Sequence, residues 1–148
     1  MMEVPESGVP AIVKLHLQHG GTTYSLRWGD LSNVALYVVS LYPDLGLILP
    51  GKRMDEAILS QFIQENRELL ADPRCVVGTW FNPEDGNTYL DVSAVFSDRD
   101  VAIQLAKLYN QIAIWDLKNG KEIIIGGSGA PPNNLPKAGD RLPQKNVR

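Results

Sequence analysis

Residues 76–96 read VVGTWFNPEDGNTYLDVSAVF, and this stretch decides the architecture. Its flanks are rich in β-branched and aromatic residues, and Pro83-Glu84-Asp85-Gly86 between them is turn chemistry. Proline presets φ early in a turn, and glycine accepts the backbone that closes it. Leu90, Val92 and Ala94 alternate with Tyr89, Asp91 and Ser93, the period of two that gives a strand two distinct faces. A lone two-stranded ribbon is marginal in water, so the rest of the chain must widen this hairpin and cover it.

Downstream, Ser97 or Asp98 caps a helix running through Tyr109, with Val101, Ala102, Leu105 and Leu108 along its apolar line. Residues 112–117 and 121–125 then flank Lys118-Asn119-Gly120, a second hairpin with Asn-Gly at its tip. Upstream, residues 55–70 read as one helix. Ile58, Leu59, Phe62, Ile63, Leu69 and Leu70 form its stripe, Asp55 and Glu56 complement its dipole, and Asp72-Pro73 stops it. Residues 34–41, VALYVVSL, suit a central strand covered on both faces, and residues 47–49 a short return strand. In the N-terminal part Val13, Leu15 and Leu17 alternate with polar neighbours, as do Tyr24, Leu26 and Trp28. With Gly20-Gly21 between them they read as a hairpin over residues 12–28.

The expected class is therefore α+β: a mainly antiparallel sheet built from hairpins, with two amphipathic helices on one face. The sequence reads as a single domain over residues 1–127, the hairpin 12–28 plus a core 34–127. Residues 128–148 form a flexible, basic, proline-rich tail. From Gly126 the chain holds Lys137, Arg141, Lys145 and Arg148 against Asp140, a net of +3, which leaves −6 on the body of a chain whose total is −3. A segment with so little to bury should stay mobile, and its removal should leave the melting temperature nearly unchanged. Basic where the body is acidic, it is expected to serve as an arm that lies on a neighbouring subunit or a partner.

Composition narrows the function. Among 148 residues, 44% are apolar and 21% charged, enough for a core. A net charge of −3 argues against nucleic acid as a partner. No apolar run reaches the roughly 18 residues that span a bilayer, so no membrane association is expected. Glu3 and Glu6 stand where a secretory signal needs basic residues, which leaves a cytoplasmic protein. Cys75 is the one cysteine, and His16 and His19, the two histidines, point to opposite faces if extended, so no metal or other cofactor is expected. Gly126-Gly127-Ser128-Gly129 follows a strand but precedes Pro131-Pro132, so no helix N-terminus completes a phosphate cradle.

The densest set without a structural job is Trp80, Tyr89, Asn110, Gln111, Trp115 and Asp116, to which Asp91 is added as an acid in apolar company. Aromatics with polar handles at half-exposed sites are typical anchors of binding surfaces, so these seven residues are the candidate partner-binding site. By parity Ile112, Ile114 and Asp116 share one strand face while Ala113, Trp115 and Leu117 share the other, and pattern alone leaves open which of the two is core. The alternative is an enzyme acting on a nucleotide or a modified side chain, with Asp91, Asn110 and Asp116 converging as acid, base or ligand. It requires both acids on one face of the sheet.

Residues 78–86 (GTWFNPEDG), Tyr89-Leu90-Asp91-Val92, Asp98-Arg99, residues 110–117 (NQIAIWDL), Glu122-Ile123 and Gly126-Gly127 form a pattern. It resembles an uncharacterised small domain of bacteriophage, prophage and mobile-element proteins. The resemblance covers about residues 34–129. It implies a viral or mobile-element context and carries no catalytic residue with it. The expected function is thus a non-enzymatic interaction or assembly module, binding a host or viral protein or another copy of itself.

Overall fold

The alternation over residues 75–96 folds into the two longest strands of the structure, a computed structural model that describes residues 8–51 and 54–143. In chain order the elements are α1 (Val9–His19), β1 (Gly21–Ser25), β2 (Gly29–Asp30), β3 (Tyr37–Val39), β4 (Leu47–Pro50), α2 (Glu56–Glu65), α3 (Arg67–Leu70), β5 (Cys75–Asn82), β6 (Asn87–Phe96), α4 (Arg99–Leu108), β7 (Ala113–Asp116) and β8 (Lys121–Ile124). The strands form one sheet in the order β2-β1-β5-β6-β3-β7-β8, with β4 also on β6, and every pairing is antiparallel. This is an α+β fold with a hairpin-built antiparallel sheet.

Strand β6 organises it, because its ten residues accept β5 along one edge and two short strands along the other. β4 pairs with its first half, Leu47 opposite Leu90, and β3 with its second, Val39 opposite Ala94. The excess of residues between β3 and β4 is taken up in a 3₁₀ turn, Pro43–Leu45, and by the fully buried Leu41 and Tyr42. Residues 34–41 are therefore not one long strand: only Tyr37–Val39 pairs, because turns closed by Val34 N–H to Leu31 O and Leu36 N–H to Val34 O precede it and the 3₁₀ turn follows it.

Parity assigns the faces. Val77, Leu90, Val92, Ala94, Val39 and Ile114 meet Ile12, Leu59, Phe62, Leu70, Ala102 and Ala106 from the helices in the main core. Among the described residues, the opposite face carries no helix and buries only a small cluster, Leu31, Val76, Val95 and Leu117, beside Leu36 and Val38. Residues 31–36 cross this face, tied by Leu31 N–H to Thr23 O, Asn33 N–H to Leu117 O and Leu117 N–H to Leu36 O.

Among the described residues, four α-helices accompany the sheet where two were expected. Residues 12–17 are helical, not the first arm of a hairpin: Ile12 and His16 are buried and Leu17 is 66% exposed, so the period of four prevails over the period of two. Pro10 in the first turn and Gly20 in the left-handed conformation at the end frame this helix. The helix expected over 55–70 starts as read, Asp55 accepting from Ala57 N–H and Ile58 N–H, but breaks at Asn66, whose side-chain amide donates to Phe62 O. Asp98 caps α4 in the same way.

The C-terminal segment is the other correction. Instead of a free arm, residues 126–143 form a strap on the parent domain. Asn110, at φ +57°, clamps its start, exchanging hydrogen bonds with Ser128 and donating to Ala130 O. A Cβ at Gly127 would lie 2.6 Å from the Gln111 carbonyl oxygen, so only glycine fits there. Further on, Leu135, Ala138 and Leu142 pack on the main core, and Arg141 is buried. Its guanidinium forks onto the Asp44 carboxylate at 2.6 and 3.0 Å, donates to Leu41 O and Pro136 O, and lies over the Tyr42 ring. A handful of apolar side chains, Arg141 with its four hydrogen bonds, and Arg74, which donates to Pro143 O, hold the strap. Residues 144–148 of the expected tail, and residues 1–7, lie outside the described residues. No helix among the described residues is long and apolar enough to cross a membrane.

Candidate functional site

The helix-free face holds a cleft of about 850 Å³, within the range of ligand pockets. Three elements wall it: the end of the β1/β5 ladder with Thr23, Trp80 and Phe81, the crossing segment with Ser32 and Asn33, and the β7–β8 hairpin with Trp115, Leu117 and Glu122. His19 and Gly20, where α1 ends, form its rim.

Trp80 and Trp115 are half-exposed, at 51% and 41%, because each sits on the face the helices leave open. Gly21 lies opposite Trp80 in the ladder, and a Cβ there would stand 2.6 Å from Thr79 O, so the indole has no side chain beside it on β1. On its other side Trp80 meets the Tyr89 ring at 5.9 Å between centroids, and the Tyr89 hydroxyl donates to Asp85. That bond holds the phenol above its ordinary pKa. Glu122 faces Trp115 across the β7–β8 ladder. It is exposed and makes no ion pair or hydrogen bond among the described residues.

The seven candidate residues thus separate. Trp80 and Trp115 share the cleft, with Tyr89 behind Trp80. Asp91 lies on the same face but deeper, opposite Gly78, over which its carboxylate folds: a Cβ on Gly78 would stand 2.5 Å from Asp91 Oδ1. Ser93 donates to that oxygen at 2.9 Å, and burial pushes the Asp91 carboxyl above the usual range. Asp116 is elsewhere. Through Tyr37 it shares the parity of Phe96, a residue of the helix-covered core, so Asp91 and Asp116 belong to opposite faces of the sheet. Asp116 accepts from the Asn119 backbone and side-chain amides, which holds its carboxyl below the usual range and braces the turn. Asn110 and Gln111 hold the strap: the Gln111 carbonyl accepts from Gly127 N–H. The convergence of Asp91, Asn110 and Asp116 that an enzyme would need is not formed.

Sequence reasoning missed Glu122, Asn33 and His19. Glu122 was within reach of pattern, since a four-residue turn over 117–120 sets it opposite Trp115. Asn33, in the left-handed conformation at φ +68°, depends on the path of the crossing segment and had no such signal. Among the described residues no group of three His, Cys, Asp or Glu side chains is placed to hold a metal ion.

His16 stands behind the cleft, its Nδ1 2.8 Å from Thr79 Oγ1, and burial lowers its pKa. A histidine kept neutral by folding contributes stability above its unfolded pKa of about 6.5, and that stability is lost as pH falls through the lowered folded value. Urea unfolding at pH 7 and pH 5 should show a smaller loss in His16→Gln than in the parent; equal losses would place the acid sensitivity elsewhere.

Compared with family models, curated proteins and solved structures, the chain matches none.

Proposed function

We propose that this chain is a non-enzymatic binding module that grips a protein partner in the cleft between Trp80 and Trp115. One observation carries the reading: two half-exposed tryptophans border the same 850 Å³ cleft on the face that the helices leave uncovered. Large rigid aromatics that give up water at little entropic cost are the usual hot spots of interfaces. The binding surface is narrower than the seven residues first singled out, and the C-terminal strap, bound to its own domain, takes no part in it. The resemblance to the phage and mobile-element domain supports a partner of viral or host origin, a second copy included. The buried free thiol of Cys75 is in keeping with a cytoplasmic setting.

The test is a selection of random displayed peptides on the intact protein. Peptides so obtained should lose at least about tenfold in affinity for Trp80→Ala/Trp115→Ala, the loss of one strong hot spot. They should bind Trp28→Ala unchanged, since Trp28 is 60% exposed but does not line the cleft. Peptides that bind the double variant as well as the parent would overturn the reading.

A further inference from the structure

We infer that the anchor received by this cleft is an arginine side chain of the partner protein, its guanidinium seated between the Trp115 indole and the Glu122 carboxylate. The inference rests on the cleft being the binding site and adds the chemistry of what enters. Among the described residues, Glu122 is the one carboxylate lining the cleft, and no lysine or arginine lines it. It has no partner among the described residues, although the same hairpin carries basic side chains. Lys121 does not serve it, because Lys121 stands opposite Asp116 in the ladder and so lies on the other face.

A carboxylate with no partner among the described residues, next to an indole, offers a cation two attractions, the negative carboxyl oxygens and the electron-rich face of the neutral ring. A guanidinium meets both at once. It is flat, so it stacks on the ring, and its N–H fork matches the two carboxylate oxygens. An ammonium satisfies one or the other and holds its hydration more tightly. The cleft is far larger than one guanidinium, so the flanking residues of the partner lie along Thr23, Ser32 and Asn33 towards Trp80 and Phe81. The chain's net charge of −3 also draws a cationic segment in from a distance.

Three short probes differing in one side chain test this: capped Ala-Arg-Ala, its citrulline counterpart, which keeps the shape without the charge, and capped Ala-Glu-Ala. The three tryptophans of the chain give three indole N–H signals in a ¹H–¹⁵N spectrum, Trp28 acting as the internal control. The arginine probe should shift Trp115 and Trp80 but not Trp28, with a dissociation constant of about a millimolar. Binding should weaken with added salt, and Glu122→Gln should weaken it about fivefold, as expected for loss of a surface ion pair. Citrulline binding as well as arginine, or Glu122→Gln without effect, overturns the arginine assignment. No Trp115 shift with the arginine probe, while selected peptides still depend on Trp80 and Trp115, also overturns it and leaves the cleft standing as the binding site. Selected peptides that ignore both tryptophans bring down the reading beneath it as well.

Discussion

Removing residues 129–148 lowers the melting temperature by about 10 °C, against the near-zero change expected of a free tail. The figure follows from what the strap buries. Leu135 and Leu142 are partly buried on the main core, each worth about 1 kcal/mol at that degree of burial, and the Ala138 methyl adds less. Asp44 is 43% exposed, so water screens its ion pair with Arg141, which adds only about 1 kcal/mol. Arg141 also satisfies the carbonyls of Leu41 and Pro136 and covers Tyr42. The released segment regains ordering entropy, and the strap stays docked only because its contacts together outweigh that entropy; a net of about 3 kcal/mol corresponds to about 10 °C for a domain of this size. Arg141→Met, which keeps much of the packing but loses the fork, should show about a third of the drop. The pair also has a pH signature. Arg141 holds the Asp44 carboxyl below its usual range, so its contribution is present above the unfolded value near 3.9 and is lost as pH falls through the lowered one. The gap between parent and Arg141→Met should therefore narrow in acid. A second readout is chemical: Tyr42 bonds to the buried Cys75 at 3.6 Å with the strap above it, so truncation should speed the reaction of this one thiol with a disulfide reagent. An unchanged melting curve and an unchanged thiol rate together would make the strap a passive ornament.

The strap also shows why part of this fold was hidden in the chain. Composition describes what a segment can bury by itself, and residues 126–143 can bury little. What holds them is distant in sequence: Arg141 reaches Asp44, 97 residues earlier, Arg74 donates to Pro143 O, and no local window contains both partners of either contact. The same limit applies to the cleft, whose middle wall is the crossing segment 31–36. The hairpins were legible because their signals are local: Pro83-Glu84-Asp85-Gly86 and Asn119-Gly120 sit between alternating runs, and Asp55 and Asp98 precede apolar stripes. At α1 the local signals conflicted. Ile12, Leu15 and His16 fit a helix, while Val13, Leu15 and Leu17 fit a strand. The choice fell to tertiary packing, which buried Ile12 and exposed Leu17. Trp80 and Trp115 stood out in the pattern, but parity left open whether Trp115 or Asp116 faced the core, and the acids were no easier to place. Asp91 and Asp116 each looked out of place in a strand, but which face each occupied depended on how β6, β3 and β7 line up.

Asp91→Asn should stabilise the protein at neutral pH, by about 1 kcal/mol, the scale of an imperfectly satisfied polar group. The half-buried carboxyl sits over Gly78 with the Ser93 hydroxyl as its side-chain hydrogen-bond donor, too little to replace the water that an ionised oxygen pair loses there. Its pKa is accordingly raised, by burial first and against the opposing pull of Ser93. For an acid raised in the folded state, the relative advantage is full below the unfolded value of about 3.9 and disappears as pH climbs through the folded value. The parent and Asp91→Asn should thus be equally stable near pH 4 and diverge above it, the asparagine variant on top. His16 works in the other direction over part of the same range, so the comparison must be made as a difference between the two proteins at each pH. Gly78→Ala gives the complementary result, since its Cβ would meet Asp91 Oδ1 at 2.5 Å; paired with Asp91→Ala, which clears that oxygen, much of its cost should vanish. If Asp91→Asn is instead less stable than the parent at pH 7, the carboxylate is compensated in its site, and the raised pKa assigned to it is wrong.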